Sequence, residues 1–145
     1  MKRRLFNLIA LLLLVDHIAL AQEGLAVADA FSRFGHERGC KMVEMHNTSL
    51  RGYELKTYQS LTYRNQGDQI ATILEEDRRQ AKKIREVISD GHISSGYYIL
   101  PPITEGLNRY VLYTQKEDKS GAIIYIEGKL EPDDILKICY QRRKR

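Results

Sequence analysis

Tyr53-Glu54-Leu55-Lys56-Thr57-Tyr58-Gln59-Ser60-Leu61-Thr62-Tyr63 alternates between two kinds of residue. Tyr53, Leu55, Thr57, Leu61 and Tyr63 fall on one side of an extended chain. Glu54, Lys56, Tyr58, Ser60 and Thr62 fall on the other, which is mostly polar. Period two predicts a β-strand with one buried face. Alternation of this kind belongs to an antiparallel sheet wetted on one side.

The elements on either side follow from that strand. Upstream, Leu25, Ala28, Phe31, Ala30 and Phe34 sit at helical spacing, and Gly35 and Gly39 end the run. This predicts a helix over 24–35 with a Phe/Leu stripe. Cys40 to His46 reads as a short first strand, and Asn47 to Gly52 as a turn. Downstream, Ile70, Ile73, Leu74, Ala81, Ile84, Val87 and Ile88 form an apolar stripe. That spacing predicts one long helix from Asp68 to about Ser89 or Asp90, with Gly91 as its C′ residue. Within it Glu75, Glu76 and Asp77 precede Arg78, Arg79, Lys82 and Lys83, which suits the helix dipole.

The last third reads as three strands and a helix. Gly96 to Leu100 is stopped by Pro101-Pro102. Asn108 to Gln115 and Ala122 to Glu127 are joined by a charged turn ending in Gly121, as in a hairpin. Pro132, with Asp133 and Asp134, opens a final helix. The expected fold is therefore α+β: an antiparallel sheet of about five strands with the long helix packed on one face. The expected order is helix-strand-strand-helix-strand-strand-strand-helix.

The start of the chain carries an address. Lys2-Arg3-Arg4 is followed by the apolar run Leu5 to Val15 and by Ala19-Leu20-Ala21, a small-x-small cleavage site. This reads as a secretory signal peptide over 1–21, too short in its apolar part to span a bilayer. The mature chain is expected to begin at Gln22 and to be periplasmic or secreted. The full chain has a formal net charge of +4, and Arg142-Arg143-Lys144-Arg145 supplies a basic C-terminal tail. The folded part thus lacks the basic face a nucleic-acid binder needs. The tail itself is suited at most to weak contact with an anionic membrane surface.

A larger set of segments carries a resemblance. A Phe-rich helix after the signal peptide leads to Gly39-Cys40-Lys41-Met42-Val43-Glu44 and Leu50-Arg51-Gly52-Tyr53-Glu54-Leu55. Later come Asn108-Arg109-Tyr110-Val111-Leu112-Tyr113 and Ile124-Tyr125-Ile126-Glu127-Gly128, then Leu130 to Leu136. This combination resembles the small exported domains of unknown function common in Bacteroidetes. The resemblance implies a periplasmic or surface-associated α+β domain and assigns no active-site residue.

Candidate chemistry is sparse. Cys40 and Cys139 are the two cysteines, and an oxidising compartment permits a disulfide between them; two separate buried thiols are the alternative. His36 and Cys40 lie four residues apart across a helix-to-strand turn, a poor start for a nucleophile and base. His36, His46 and His92 lack metal-ligand spacing, and no nucleotide or cofactor motif is present. Asp77 falls at the edge of the apolar stripe, where pairing with a base is expected. These observations point to no catalytic residue, no metal and no cofactor. The nine tyrosines are the strongest recognition feature. Tyrosine joins apolar area to a polar tip. Tyr110 and Tyr113 alternate across one strand, so one is expected to be core and the other available to a partner. The leading expectation is a non-catalytic exported domain binding an envelope protein or a small ligand. The alternative is a small hydrolase-like enzyme whose site only the fold assembles.

Overall fold

The computed structural model describes residues 25–140, with side chains as far as Ile138. Its elements in chain order are α1 (Val27–Phe34), β1 (Lys41–Leu50), β2 (Tyr53–Tyr63), α2 (Gly67–Gln80), β3 (Lys82–Ser89), β4 (His92–Leu100), β5 (Asn108–Gln115), β6 (Gly121–Gly128) and α3 (Pro132–Tyr140). The six strands form one sheet in the order β1-β2-β6-β5-β4-β3. Every neighbouring pair is antiparallel. The β1–β2 hairpin comes first. Helix α2 then carries the chain across to the far edge, and the β3–β6 meander returns until β6 pairs with β2.

The α+β class and the antiparallel sheet agree with the sequence reading, but the long helix does not. It ends at Gln80, and Ala81 is already extended, at φ −87° and ψ 152°. The helical spacing of Ile70, Leu74, Ala81, Ile84 and Ile88 continues into β3, so periodicity alone could not separate the two. Two local signals decide it. Residues 82–89 hold β-branched Ile84, Val87 and Ile88, which fit a pleated surface. Asp90-Gly91 is a two-residue hairpin turn rather than a helix stop: φ is 50° at Asp90 and 78° at Gly91, the left-handed pair that such turns require. The sheet therefore has six strands, and the order gains a strand after α2.

The alternation of β2 is also not continuous. Leu55 pairs with Gly128 and Thr57 with Glu127, a register shift that marks a bulge at Lys56. A bulge exchanges the faces on its two sides. Leu61 and Tyr63 consequently join the core beneath α1 and α2. Tyr53 and Leu55 join a second core on the opposite face, with Tyr110, Leu112, Ile126, Leu130 and Ile135. The sheet is therefore not wetted along one whole side. Helices α1 and α2 cover the first face, through Val27, Phe31, Phe34, Ile70 and Leu74. The short α3 covers part of the second.

Candidate functional site

Helix α3 is pinned at its start. Tyr110 and Asn108 both donate to the Leu130 carbonyl, at 2.6 and 2.7 Å, and the Tyr53 hydroxyl reaches Asp134 Oδ1 at 3.1 Å. Leu130 and Ile135 then anchor it on the sheet. Beyond Ile135 the helix stands over a groove of about 380 Å³. Leu112, Ile124 and Ile126, from β5 and β6, line its floor; Tyr58 of β2, Tyr97 of β4, Leu50 and Ile138 of α3 complete its apolar walls. Its volume lies in the ~300–1,000 Å³ range of small-molecule sites. Tyr58, Tyr97, Ile124 and Ile138 are half-buried. The same sheet face reaches the β3 edge at Val87, which is 41% exposed. Arg51, on the β1–β2 turn, is the one charged residue lining the groove among the described residues.

The tyrosines expected to carry recognition are not the accessible ones. Tyr110 is 0% exposed and Tyr113 is 2%. Strand alternation does put them on opposite faces, but both faces of β5 are covered. Burial pushes the Tyr110 hydroxyl up to about 12, with Glu131 adding to it. The Tyr113 hydroxyl donates to Gln115 Oε1 at 2.5 Å. Both rings are buried in the described fold. Tyr58 and Tyr97, two of the other strand tyrosines, are half-buried instead. Tyr58 was visible as the one large ring among the polar residues of β2.

The other singled-out residues are scattered. His36 lies in the α1–β1 connection and His92 beside the β3–β4 turn, both exposed. His46, exposed on edge strand β1, contacts Glu44 at 2.7 Å. Cys40 carries a free thiol. Burial and Glu37 push its pKa up, the opposite of thiolate activation. The Cys139 side chain, the signal peptide and the Arg142–Arg145 tail lie outside the described residues. Among the described residues, no group of three His, Cys, Asp or Glu side chains is arranged to hold a metal ion.

Asp77 meets main-chain amides rather than the expected base. It is 2% exposed, and its two oxygens accept from the backbone N–H groups of Ala26 and Val27, each at 2.7 Å. Ala26 stands at the N-cap of α1 and has no capping side chain; Asp77 of α2 supplies the cap from outside. Burial pushes its carboxyl up, while the two amides pull it back down.

Two further carboxylates, half-buried Glu86 and buried Glu127, are likewise engaged. Glu86 Oε1 accepts from Tyr98 at 2.8 Å and from Arg78 Nη2 at 2.7 Å. Burial alone would raise this carboxyl, but Tyr98 and Arg78 hold it below its ordinary value. Glu127, 1% exposed, accepts from the Tyr125 hydroxyl at 2.8 Å. Lys56 Nζ is 3.1 Å from its other oxygen, an ion pair without hydrogen-bond alignment. Opposite Glu127 in the β5–β6 register is Arg109, 5% exposed, whose Nε donates to the Pro101 carbonyl at 2.8 Å. No periodicity announced these charges, because Arg109 and Glu127 sit inside strands that read as apolar.

A second depression, of about 760 Å³, lies between α1 and α2. Its lining includes the charged Asp29, Glu75, Glu76 and Arg79, and it has no strand floor. Among the described residues, three further depressions, of about 540, 460 and 380 Å³, are lined largely by polar and charged residues, so the groove beneath α3 is the one with a mostly apolar and aromatic lining. Among curated proteins and among solved structures, no match to this chain is found. Over residues 14–139 the chain matches a family of unknown function (DUF6108), and it belongs to that family.

Proposed function

We propose that the chain is an exported, non-catalytic binding domain whose ligand seat is the groove beneath α3. Lys2-Arg3-Arg4, the apolar run and Ala19-Leu20-Ala21 support export, with Gln22 as the first mature residue; the resemblance to small exported Bacteroidetes domains supports a bacterial envelope as the setting. The observation that carries the binding reading is an apolar sheet face left partly open beside its own covering helix. Tyr58, Tyr97 and Ile124 remain half-exposed there. Apolar concavities with a few polar groups at the rim are the usual form of ligand sites. The hydrolase-like alternative has less support. Asp77 caps α1, Glu86 ties α2 to β3 and β4, and Glu127 is held by Tyr125 and Lys56.

Nile red, a neutral apolar dye, tests the reading on the mature chain. The expected result is saturable binding of one dye per protein. Ile124→Gln and Tyr97→Ala should each weaken it severalfold, with melting changed little. Binding that does not saturate, or that survives both substitutions, contradicts the groove as the seat.

A further inference from the structure

The groove is apolar on its floor and on most of its walls, so the one charge that lines it carries information about the occupant. Arg51 lies next to Leu50 at the β1–β2 turn, and both line the groove. Arg51 is exposed, and among the described residues its side chain makes no ion pair or hydrogen bond. The buried or half-buried Arg78 and Arg109 instead bind Glu75 and Glu86, and the Pro101 carbonyl.

The backbone at Arg51 adds a second observation. Arg51 has φ 52° and Gly52 φ 87°. This two-residue connection is the kind that favours Asn-Gly, because a side chain longer than Asn gains nothing locally in the left-handed region. An arginine there destabilises the turn relative to Asn. The cost has no return within the described fold, since the guanidinium touches no acidic group. It has a return if the groove's occupant is an anion.

Resting on the groove as the ligand seat, we infer that it takes a single-chain amphiphile with a carboxylate head. The chain lies on Leu112, Ile124 and Ile126 between the rings of Tyr58 and Tyr97. The head meets the Arg51 guanidinium, whose fork matches a carboxylate. A neutral or cationic amphiphile would bury the same chain but leave Arg51 unpaired.

The test is displacement of bound Nile red from the mature chain by decanoate, decan-1-ol and decyltrimethylammonium, with wild type and Arg51→Asn. For wild type, decanoate should displace the dye at concentrations at least tenfold below decan-1-ol, and the ammonium compound should be weakest. Arg51→Asn should bring decanoate level with decan-1-ol while leaving the melting temperature unchanged or slightly higher, because Asn-Gly suits the turn. A merely structural arginine would not separate the two readouts in this way. Equal displacement by decanoate and decan-1-ol in wild type overturns the inference but leaves the groove standing. A decanoate preference that survives Arg51→Asn overturns the assignment of the head to Arg51. Dye bound yet displaced by none of the three overturns the amphiphile. Failure to bind the dye at all sinks the groove reading itself. Two further results overturn the inference in favour of other occupants. One is a stable dimer by sedimentation that excludes the dye; the other is binding only to phosphatidylglycerol vesicles.

Discussion

Asp77 shows how much one buried side chain can hold together. It lies on α2 but completes the first turn of α1, whose own start, Leu25-Ala26-Val27-Ala28, offers no capping oxygen. That missing cap was the legible signal. What could not be read was which distant residue would fill it, because the partners are 50 and 51 residues apart in the chain. Asp77→Ala strands the buried Val27 amide and the part-buried Ala26 amide and should cost about 2 kcal/mol in chemical denaturation; Asp77→Asn, which keeps one acceptor, should cost less. A loss within error of zero would mean that α1 does not depend on this cap. Glu86 makes the complementary prediction about pH. Its folded pKa is held below the ordinary 4.5. Its contribution is therefore present above about pH 4.5 and lost as pH falls through the lower folded value. The stability gap between wild type and Glu86→Gln, measured by urea unfolding at a series of pH values, should narrow below that point. A gap that stays constant down to pH 3 would show that Arg78 and Tyr98 do not hold the charged form.

The most instructive element is the junction of α2 and β3. A heptad-like stripe runs through both, and the sequence reading followed it across Ala81. Local chemistry pointed the other way, through β-branched residues and Asp90-Gly91. Pairing with β4 then rewards the strand with a ladder that a solvent-facing helix end would not gain. Gly91 has open space where a Cβ would go, so only its φ of 78° resists substitution. Gly91→Ala should cost about 1 kcal/mol through backbone strain alone, and Asp90→Asn should be neutral or slightly stabilising. Were residues 82–90 helical with Gly91 as a C′ residue, Gly91→Ala would again cost, but Val87→Ala would stabilise, whereas in a strand it should weaken the sheet. The bulge at Lys56 taught a similar lesson. The alternation of β2 was real on either side of it, but one inserted residue moved half the strand to the other core.

At the scale of the molecule, two unequal cores explain what the tyrosines do. Where both faces of a strand are covered, as on β5, Tyr110 and Tyr113 are core. On the face that carries α3, Tyr58 and Tyr97 are half-buried. The fold class and antiparallel pairing were legible because alternation and turn residues are local. The groove was not, since its lining comes from β2, β4, β5, β6 and α3, which are far apart in the chain. The edges of that sheet are guarded: β1 carries a positive φ at Asn47, and β3 carries Lys82, Lys83 and Arg85 and two register shifts. These features discourage edge pairing and leave the face beneath α3 as the open apolar surface. Amide chemical-shift mapping of the isotope-labelled mature chain during titration with Nile red tests this most directly. The account predicts that perturbations concentrate at Tyr58, Tyr97, Ile124 and Ile138, while the α1–α2 face is silent; perturbations centred on α1 and α2, or spread evenly over the chain, would contradict it.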